Sequence, residues 1–300
     1  MPPLRYPGPI CQTKDWYREI DDGTLVRWRS EPPSAIGAPG SSTPSNGPPA
    51  NARTSPSAGT APSSSVQAPA LAADACSFLN PRTTGTVVAP QEAFDRLRRG
   101  SGSAKISPPQ PTASQAWPHG GVSAAVAQDI TIDGKTISVI RPTDADAAGK
   151  NLPSTAQLAE ALRAVPASQR ARTTKVILSP RPHPESTPSA TIAGEAGGGE
   201  ITLFPVNKSQ SQNDFDNRVM HESGHNHQGT LWNSGAAVGE WQIAATADHS
   251  LPSPYAGANT GDDFCEFGIL HNTARGTPCE ASARQLYPNR WAKMAEYQSR

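Results

Sequence analysis

The chain lacks an excess of either charge. Its 26 basic and 26 acidic side chains give a formal net charge of zero, and the basic residues form no cluster. A basic surface holds a protein to nucleic acid or to an anionic membrane, so the composition favours neither partner. Long apolar runs are also missing, and no stretch approaches the roughly 20 residues of a transmembrane helix. We therefore expect no nucleic-acid partner and no insertion into a membrane.

A classical signal peptide is also missing, because residues 1–30 contain no apolar run with basic flanks. This aromatic-rich segment is too short to form a stable core alone, so we expect it to act in docking or delivery. The chain would then be secreted by a signal-peptide-independent route, with a cytoplasmic location as the alternative. If the chain is secreted, the expected partner is a secretion machine or an immunity protein.

Cysteine is scarce, and the four cysteines do not show the C-x-x-C spacing of a structural zinc site. They are Cys11, Cys76, Cys265 and Cys279. Three sets of pairings are open, and the candidate bonds include Cys265 with Cys279 and Cys11 with Cys76. Four reduced thiols are the alternative, whereas disulfides would indicate an oxidising destination.

Proline and glycine are abundant, with 31 and 25 residues, and the excess is not uniform along the chain. Residues 31–75 combine these residues with serine and have almost no bulky apolar side chains. Such a segment cannot bury enough surface to offset its ordering entropy, which predicts a disordered linker. A poorly defined connecting region follows at residues 76–118, with a weaker second linker at 100–118. A globular domain is expected at residues 119–300.

The globular part combines strand and helix patterns and predicts an α+β fold. Alternating apolar and polar residues on both sides of Asp133-Gly134 predict a β-hairpin. A second hairpin is predicted from residues 190–196 and 200–204, which flank three glycines. Further elements are predicted at 155–165 (a helix capped by Ser154), 176–178 (a strand), 239–247 (a helix) and 280–297 (a helix interrupted at Pro288).

Residues 221–225 read His-Glu-Ser-Gly-His, the H-E-x-x-H arrangement of zinc peptidases. Positions four apart share one face of a helix, so His221 and His225 can direct their imidazoles at one ion. Glu222 follows the first ligand directly and reaches the water on that ion. A catalytic zinc site has three protein ligands and leaves the fourth position to water, whose proton a glutamate can take. The pattern therefore predicts a Zn²⁺ cofactor and hydrolytic chemistry.

The residues around the motif support a helical setting. An apolar stripe at helical spacing precedes it and consists of Phe215, Val219 and Met220. Gly224 lies inside the expected helix, where glycine costs about 1 kcal/mol relative to alanine. A glycine at this position is favourable if another backbone packs closely against the helix.

The third ligand must come from outside the motif. A metzincin has glycine three residues and histidine six residues after the second histidine, but Gln228 and Leu231 occupy these positions. Downstream, residues 253–266 contain the pattern S-x-Y-A and then a helix with the pattern acidic-x-F-x-E. In this order and spacing the chain resembles the anthrax lethal factor-like metallopeptidases, a family that includes the Pro-Pro endopeptidases.

The resemblance extends over about residues 174–295 and implies a zincin-like domain. Such a domain has a small mixed or antiparallel sheet, an H-E-x-x-H helix and a following helix with the third ligand. In that family a tyrosine helps to bind the oxyanion, and the acidic residue seven positions later is the ligand. These positions are Tyr255 and Asp262 in this sequence. The family ligand is usually glutamate, so Glu266 is an alternative ligand or a group that orients a ligand histidine.

These patterns predict a zinc-dependent endopeptidase that hydrolyses protein or peptide substrates by metal-activated water. His221, His225 and Asp262 bind zinc, Glu222 is the general base and then the acid, and Tyr255 stabilises the oxyanion. A catalytic domain behind a linker and a short N-terminal segment is typical of a secreted bacterial toxin or effector. The alternatives are a hydrolase of cell-wall peptides and a non-catalytic binding protein on a peptidase scaffold.

Substrate is expected to add as a further strand, because a strand before the active-site helix of such peptidases commonly runs antiparallel to the bound peptide. Residues 190–196 or 200–204 are the candidates, and an ordinary hairpin is the alternative. The other histidines show no spacing that recruits them to the metal. We expect His227 behind the ligands or at the surface, and His119, His183, His249 and His271 at the surface or in packing.

Overall fold

The computed structural model describes residues 76–80, 85–187 and 191–299, and the backbone of one short hairpin further upstream. This hairpin pairs β1 (Arg18–Glu19) with β2 (Leu25–Val26). The linker predicted at 31–75 and the remainder of segment 1–30 lie outside the described residues. The roles predicted for them therefore stay predictions.

A mixed sheet of seven strands forms one layer of the domain. Its strands are β3 (Lys105–Ile106), β4 (Gln110–Ala116), β5 (Val122–Ile132), β6 (Lys135–Pro142), β7 (Lys175–Leu178), β8 (Gly194–Gly197) and β9 (Glu200–Leu203). Their order is β3-β5-β6-β7-β9-β8, with β4 also paired to β5. β6, β7 and β9 run parallel, and the other pairs are antiparallel. β8 thus ends the sheet as an antiparallel strand.

Nine α-helices of the described residues accompany this sheet. They are α1 (Gln91–Arg99), α2 (Asp144–Ala147), α3 (Thr155–Ala164), α4 (Ala167–Arg170), α5 (Gln212–Leu231), α6 (Ala236–Asp248), α7 (Thr260–Ala274), α8 (Glu280–Leu286) and α9 (Pro288–Gln298). Sheet and helices confirm the α+β class. None of the helices in the described ranges combines the length and apolar character needed to cross a membrane.

The main core lies between one face of the sheet and the helices. Val176 and Leu178 of β7 point into it, while Ile177 points to the other face and packs with Trp117. This alternation follows from the two-residue period of a strand. Trp117 lies in the connection between β4 and β5, so that hairpin covers part of the second face of the sheet.

Most of the predicted elements are confirmed. Asp133 and Gly134 have φ angles of 51° and 78°, the left-handed conformations that a two-residue hairpin turn requires. α3 begins after Ser154, whose side chain accepts a hydrogen bond from the backbone of Gln157. Pro288 takes the first position of α9 and separates it from α8, as the interrupted pattern predicts.

The prediction that residues 76–118 form a connecting region is wrong. β3 and β4 pair with β5, so residues 100–118 are not a second linker and the domain begins before residue 119. Further upstream, Phe78, Leu79 and Phe94 are buried in the main core. β4 escapes sequence analysis because its side chains are small or polar and most of them are exposed.

A disulfide joins Cys76 to Cys279, which are 203 positions apart in the sequence. The suggested bonds of Cys265 with Cys279 and of Cys11 with Cys76 are therefore not formed. Cys265 is a buried thiol in α7, and Cys11 lies outside the described residues. The bond ties the chain just before the 3-10 helix Ser77–Leu79 to the N-cap of α8.

Helices α5 and α7 cross in close contact at Gly224. A Cβ atom on this glycine would lie 3.0 Å from Sγ and 3.3 Å from Cα of Cys265. Alanine at this position would require Cys265 to give way by a few tenths of an ångström. The close packing that explains a glycine inside the H-E-x-x-H helix is therefore confirmed, and it brings the two predicted ligand-bearing helices together.

Candidate metal centre

Helix α5 places the two motif histidines on its buried side. His221 and His225 are 1% and 6% exposed, and their Nε2 atoms are 3.1 Å apart. A side-chain capping box between Ser211 and Asp214 starts the helix ten residues before His221. The two imidazoles therefore converge because a well-capped helix sets their four-residue spacing.

Asp262, from the first turn of α7, faces both imidazoles. Its Oδ1 atom lies 3.8 Å from Nε2 of His221 and 3.7 Å from Nε2 of His225. A point equidistant from the three atoms lies about 2.1 Å from each of them, within the roughly 2.0–2.2 Å of zinc–nitrogen and zinc–oxygen bonds. Two imidazoles and a carboxylate, all buried, can thus hold a metal ion in this structure.

Asn259 orients this carboxylate, a role that the sequence analysis did not predict. It is the N-cap of α7, and its Oδ1 atom accepts the backbone N–H of Asp262 at 2.8 Å. Its Nδ2 atom donates to Oδ2 of the same residue at 2.9 Å. One carboxylate oxygen is thereby fixed, and the other faces the histidines. An asparagine three residues before an acidic residue is the sequence signal that indicates such a cap.

Glu266 lies behind His221 rather than beside Asp262. Its Oε1 atom is 3.0 Å from Nδ1 of His221, the ring nitrogen on the other side from the Asp262 carboxylate. Its Oε2 atom accepts hydrogen bonds from Ser253 Oγ at 2.7 Å and from the Val87 backbone at 2.5 Å. Of the two roles left open for Glu266, this geometry favours orienting a ligand histidine over binding the metal.

Gln228 has the equivalent position behind the second histidine. Its Oε1 atom lies 3.0 Å from Nδ1 of His225, one helical turn earlier. A hydrogen bond to Nδ1 leaves the proton on that nitrogen and presents the Nε2 lone pair to a metal. The spacing of three residues between His225 and Gln228 is the sequence signal that indicates this contact.

Cys265 provides a second ligand set. Its sulfur and one ring nitrogen each of His221 and His225 lie within 4.8 Å of one another. The sulfur packs at the crossing of α5 and α7, where Gly224 leaves room for it. We favour Asp262 as the third ligand because Asn259 holds its carboxylate towards both Nε2 atoms.

The backbone of β8 runs directly along Glu222. A Cβ atom on Gly194 would lie 2.5 Å from Oε1 and 3.0 Å from Cδ of this glutamate, which is itself 1% exposed. β8 is the strand at the end of the sheet, whereas β9 lies between β7 and β8. Of the two candidates for pairing with substrate, 190–196 therefore contains the edge strand and 200–204 does not.

Tyr255 also lies next to His221, one of the candidate ligands. It begins the 3-10 helix Tyr255–Ala258, which precedes α7, and it is buried. The centre of its ring is 5.8 Å from the centre of the His221 ring. The structure thus brings His221, His225, Asp262, Glu266 and Tyr255 together. The role of the tyrosine in binding an oxyanion stays a prediction.

The electrostatic setting prepares His221 for a metal. Burial, together with the neighbouring His225, holds the pKa of His221 well below its ordinary value, so the ring is neutral. Burial also raises the pKa of Glu266 to about 8, against the opposing effect of its hydrogen bond from Ser253. A cation close by favours the ionised form of a carboxyl group, so we expect a lower pKa for Glu266 when a metal is bound.

His119, His183 and Glu195 form a second cluster, which the spacing did not predict. Nε2 of His119 and of His183 lie 3.0 Å and 4.0 Å from the Glu195 carboxylate, and these groups could together hold a metal. However, the backbone N–H of Glu185 donates to Nδ1 of His183 at 3.1 Å. In a neutral ring Nε2 then carries the hydrogen and offers no lone pair. We interpret the cluster as a polar contact between the β4–β5 turn and β8.

The two remaining buried histidines are part of the packing. His227, expected behind the ligands or at the surface, is buried with its ring near Phe264. His271, near the end of α7, lies against the ring of Trp291 with 4.4 Å between ring centres. Neither contributes to the ligand sets found among the described residues.

Comparisons with protein-family models, with curated proteins and with solved structures gave no match for this chain. The likeness to lethal factor-like peptidases therefore consists of the motif residues and their spacing.

Proposed function

We propose that this protein is a zinc-dependent endopeptidase. The observation that carries the proposal is the arrangement of His221, His225 and Asp262, whose three facing atoms fit one ion. Glu222 follows His221 directly in α5 and is buried. The donor set of two imidazoles and one carboxylate is the kind that catalytic zinc sites use. When bound there, zinc acidifies a water molecule and polarises a carbonyl group.

Glu222 is the proton carrier in this proposal. Its buried carboxylate takes a proton from the attacking water and returns it to the amine that leaves. The ring of Tyr255 lies next to His221, and its hydroxyl group would donate a hydrogen bond to the charge that develops on the carbonyl oxygen. Glu266 and Gln228 hold the two histidine rings, and Asn259 holds the third ligand.

Substrate would bind in an extended conformation along β8. This strand ends the sheet and passes the Glu222 carboxylate at Gly194, so a peptide added there would place its backbone beside the proton carrier. The strand consists of Gly194, Glu195, Ala196 and Gly197, and three of these four residues are small. Main-chain hydrogen bonds would then supply much of the affinity.

We further propose that the protein acts outside the cytoplasm, as a secreted bacterial toxin or effector. The disulfide between Cys76 and Cys279 favours this, because such bonds persist in oxidising compartments. Proteins and cell-wall peptides share the amide bond that is attacked, so both are candidate substrates.

The test is cleavage of a diverse peptide library by the zinc-loaded protein, with the Glu222→Gln variant alongside. We expect defined cuts that fall by about 100-fold or more in the variant, in line with the usual contribution of a general base. Zinc content should stay the same in both proteins. Zinc binding without any cut, in peptides or in cell-wall fragments, would contradict an enzyme and favour a binding protein on a peptidase scaffold.

A further inference from the structure

The segment of residues 85–90, which we call the strap, runs from the side of Tyr255 to the start of α1. We propose that the strap is a structural part of the metal centre and that the Cys76–Cys279 disulfide makes metal affinity depend on the oxidation state of the chain. The inference deepens the proposed function and rests on its metal site. It assigns a positioning role to residues that lie far from the motif in sequence.

The strap touches the centre at two points. The backbone N–H of Val87 donates to Oε2 of Glu266 at 2.5 Å, and the carbonyl of Gly85 accepts the backbone N–H of Tyr255 at 3.2 Å. Glu266 is completely buried and holds Nδ1 of His221. Release of the strap would therefore remove a donor from a buried carboxylate and loosen the ring behind it.

Asn217 fixes the strap to the active-site helix. It lies one turn before His221 in α5, and its Oδ1 atom accepts the backbone N–H of Ala89 at 2.9 Å. Its Nδ2 atom donates to the carbonyl of Ala89 at 3.4 Å. Val87 and Ala89 are 2% and 0% exposed, so this end of the strap is also held by burial.

The disulfide fixes the chain on the other side of the strap. Cys76 precedes the 3-10 helix Ser77–Leu79, and Tyr287 from the start of α9 donates its hydroxyl hydrogen to the carbonyl of Leu79 at 3.2 Å. A cross-link between distant positions reduces the conformations open to a detached segment. With the bond intact the strap is thus held from both sides. After reduction the chain before the strap keeps only the hydrogen bond from Tyr287 to Leu79 and the burial of Phe78 and Leu79.

Reduction is a two-electron step with a defined balance. One S–S bond breaks, two electrons and two protons are taken up, and Cys76 and Cys279 become thiols. A dithiol reductant supplies both and forms a disulfide of its own, whereas a phosphine with water becomes a phosphine oxide. Cys265, which lies at the crossing of α5 and α7, takes no part in this step.

Zinc affinity is the quantity that the strap should change. Loss of a partner behind a metal-binding histidine typically weakens binding by about 10- to 100-fold. We expect a loss of this size on reduction, together with faster hydrogen exchange in peptides that contain Val87. Both should occur while far-UV circular dichroism still reports a folded protein.

The experiment compares the full chain in the oxidised state, after phosphine reduction, and as the Cys76→Ser/Cys279→Ser variant. Zinc affinity is measured by competition with a coloured chelator, and exchange at Val87 is measured by mass spectrometry. The expected result is zinc affinity about 10- to 100-fold lower in the reduced chain and in the variant than in the oxidised chain, with no effect of reductant on the variant. Equal affinity and equal protection in all three would overturn the inference and leave the proposed function standing. An oxidised chain that binds no zinc would overturn both.

A second variant covers the case in which removal of the disulfide unfolds the chain. Asn217→Ala keeps the disulfide and releases the strap from α5. We expect about tenfold weaker zinc binding or more, with faster exchange at Val87. Unchanged affinity in a variant whose Val87 exchanges faster would show that the strap does not serve the metal, and would overturn the inference.

Discussion

A Cβ atom on Gly194 would lie 2.5 Å from Oε1 of Glu222, so β8 has no room for a side chain where it passes this carboxylate. The edge strand β8 and helix α5 are therefore in contact at the carboxylate that would carry the proton in the proposed reaction. A methyl group at this position must displace either the strand or the glutamate.

The first prediction is that Gly194→Ala removes most of the activity without removing the metal. A displacement of about 1 Å in a reacting group costs on the order of 100-fold in rate, and we expect a loss of at least this size in kcat/KM. Gly197→Ala is the matched control, because a Cβ atom there would meet nothing within 4 Å in the same strand. Equal activity of the two variants would contradict the role given to Gly194.

The second prediction concerns the third ligand. Asp262→Ala should abolish measurable zinc binding at micromolar metal, because two imidazoles alone leave the ion short of a protein ligand. Cys265→Ala should keep the metal, since the carboxylate and both rings stay in place. Zinc stoichiometry by elemental analysis distinguishes the two ligand sets. Loss of zinc in the cysteine variant alone would favour the Cys265 sulfur as the third ligand.

The third prediction separates the capping role of Asn259 from its role at the metal. Asn259→Ala should lower stability by about 1 kcal/mol, as the loss of an N-cap does. It should also weaken zinc binding by about 10- to 100-fold, because Asp262 loses its partner. Ser154→Ala is the control: it removes the cap of α3 and should cost similar stability but no zinc affinity. Urea unfolding and chelator competition measure the two effects.

The fourth prediction is a loss of stability in acid that comes from His271. Burial lowers the pKa of this histidine from 6.5 to about 4, so between these values the unfolded chain binds a proton that the folded chain does not. The contribution of His271 to the free energy of unfolding is therefore complete above pH 6.5. It is lost as the pH falls towards 4, and the total loss is about 3 kcal/mol.

The variant that tests this is His271→Phe, which keeps a ring against Trp291 but cannot titrate. Urea unfolding at pH 7 and at pH 4.5 should show a smaller difference in the variant than in the native chain. Burial lowers the pKa of His227 to about 4 as well, so a part of the acid sensitivity should stay. If the free energy of unfolding differs between the two pH values by as much in the variant as in the native chain, the prediction is contradicted.

The parts of the site that the sequence predicts are those whose spacing is local. His221, Glu222 and His225 lie within five positions of one helix. The seven positions between Tyr255 and Asp262 match the spacing in the peptidase family that the sequence resembles. Elements with strong periodicity, such as α3 and the β5–β6 hairpin, are predictable for the same reason.

The groups behind the ligands are less accessible to sequence analysis. Val87 contacts Glu266 through its backbone, which any residue except proline could provide, and 179 positions separate the two residues. The partner of Cys76 lies 203 positions away, and spacing favours nearer cysteines. β4 cannot be predicted from apolar periodicity, because an exposed strand at the edge of a sheet does not need apolar side chains.

The Cys76–Cys279 bond closes a covalent ring that contains every residue assigned here to the metal centre. A single backbone cut between these two cysteines, by the protein itself or by another protease, would produce two fragments that stay linked. One nick, including one made by the proposed peptidase activity itself, would then leave the molecule in one piece, and the fragments would separate on a gel only after reduction.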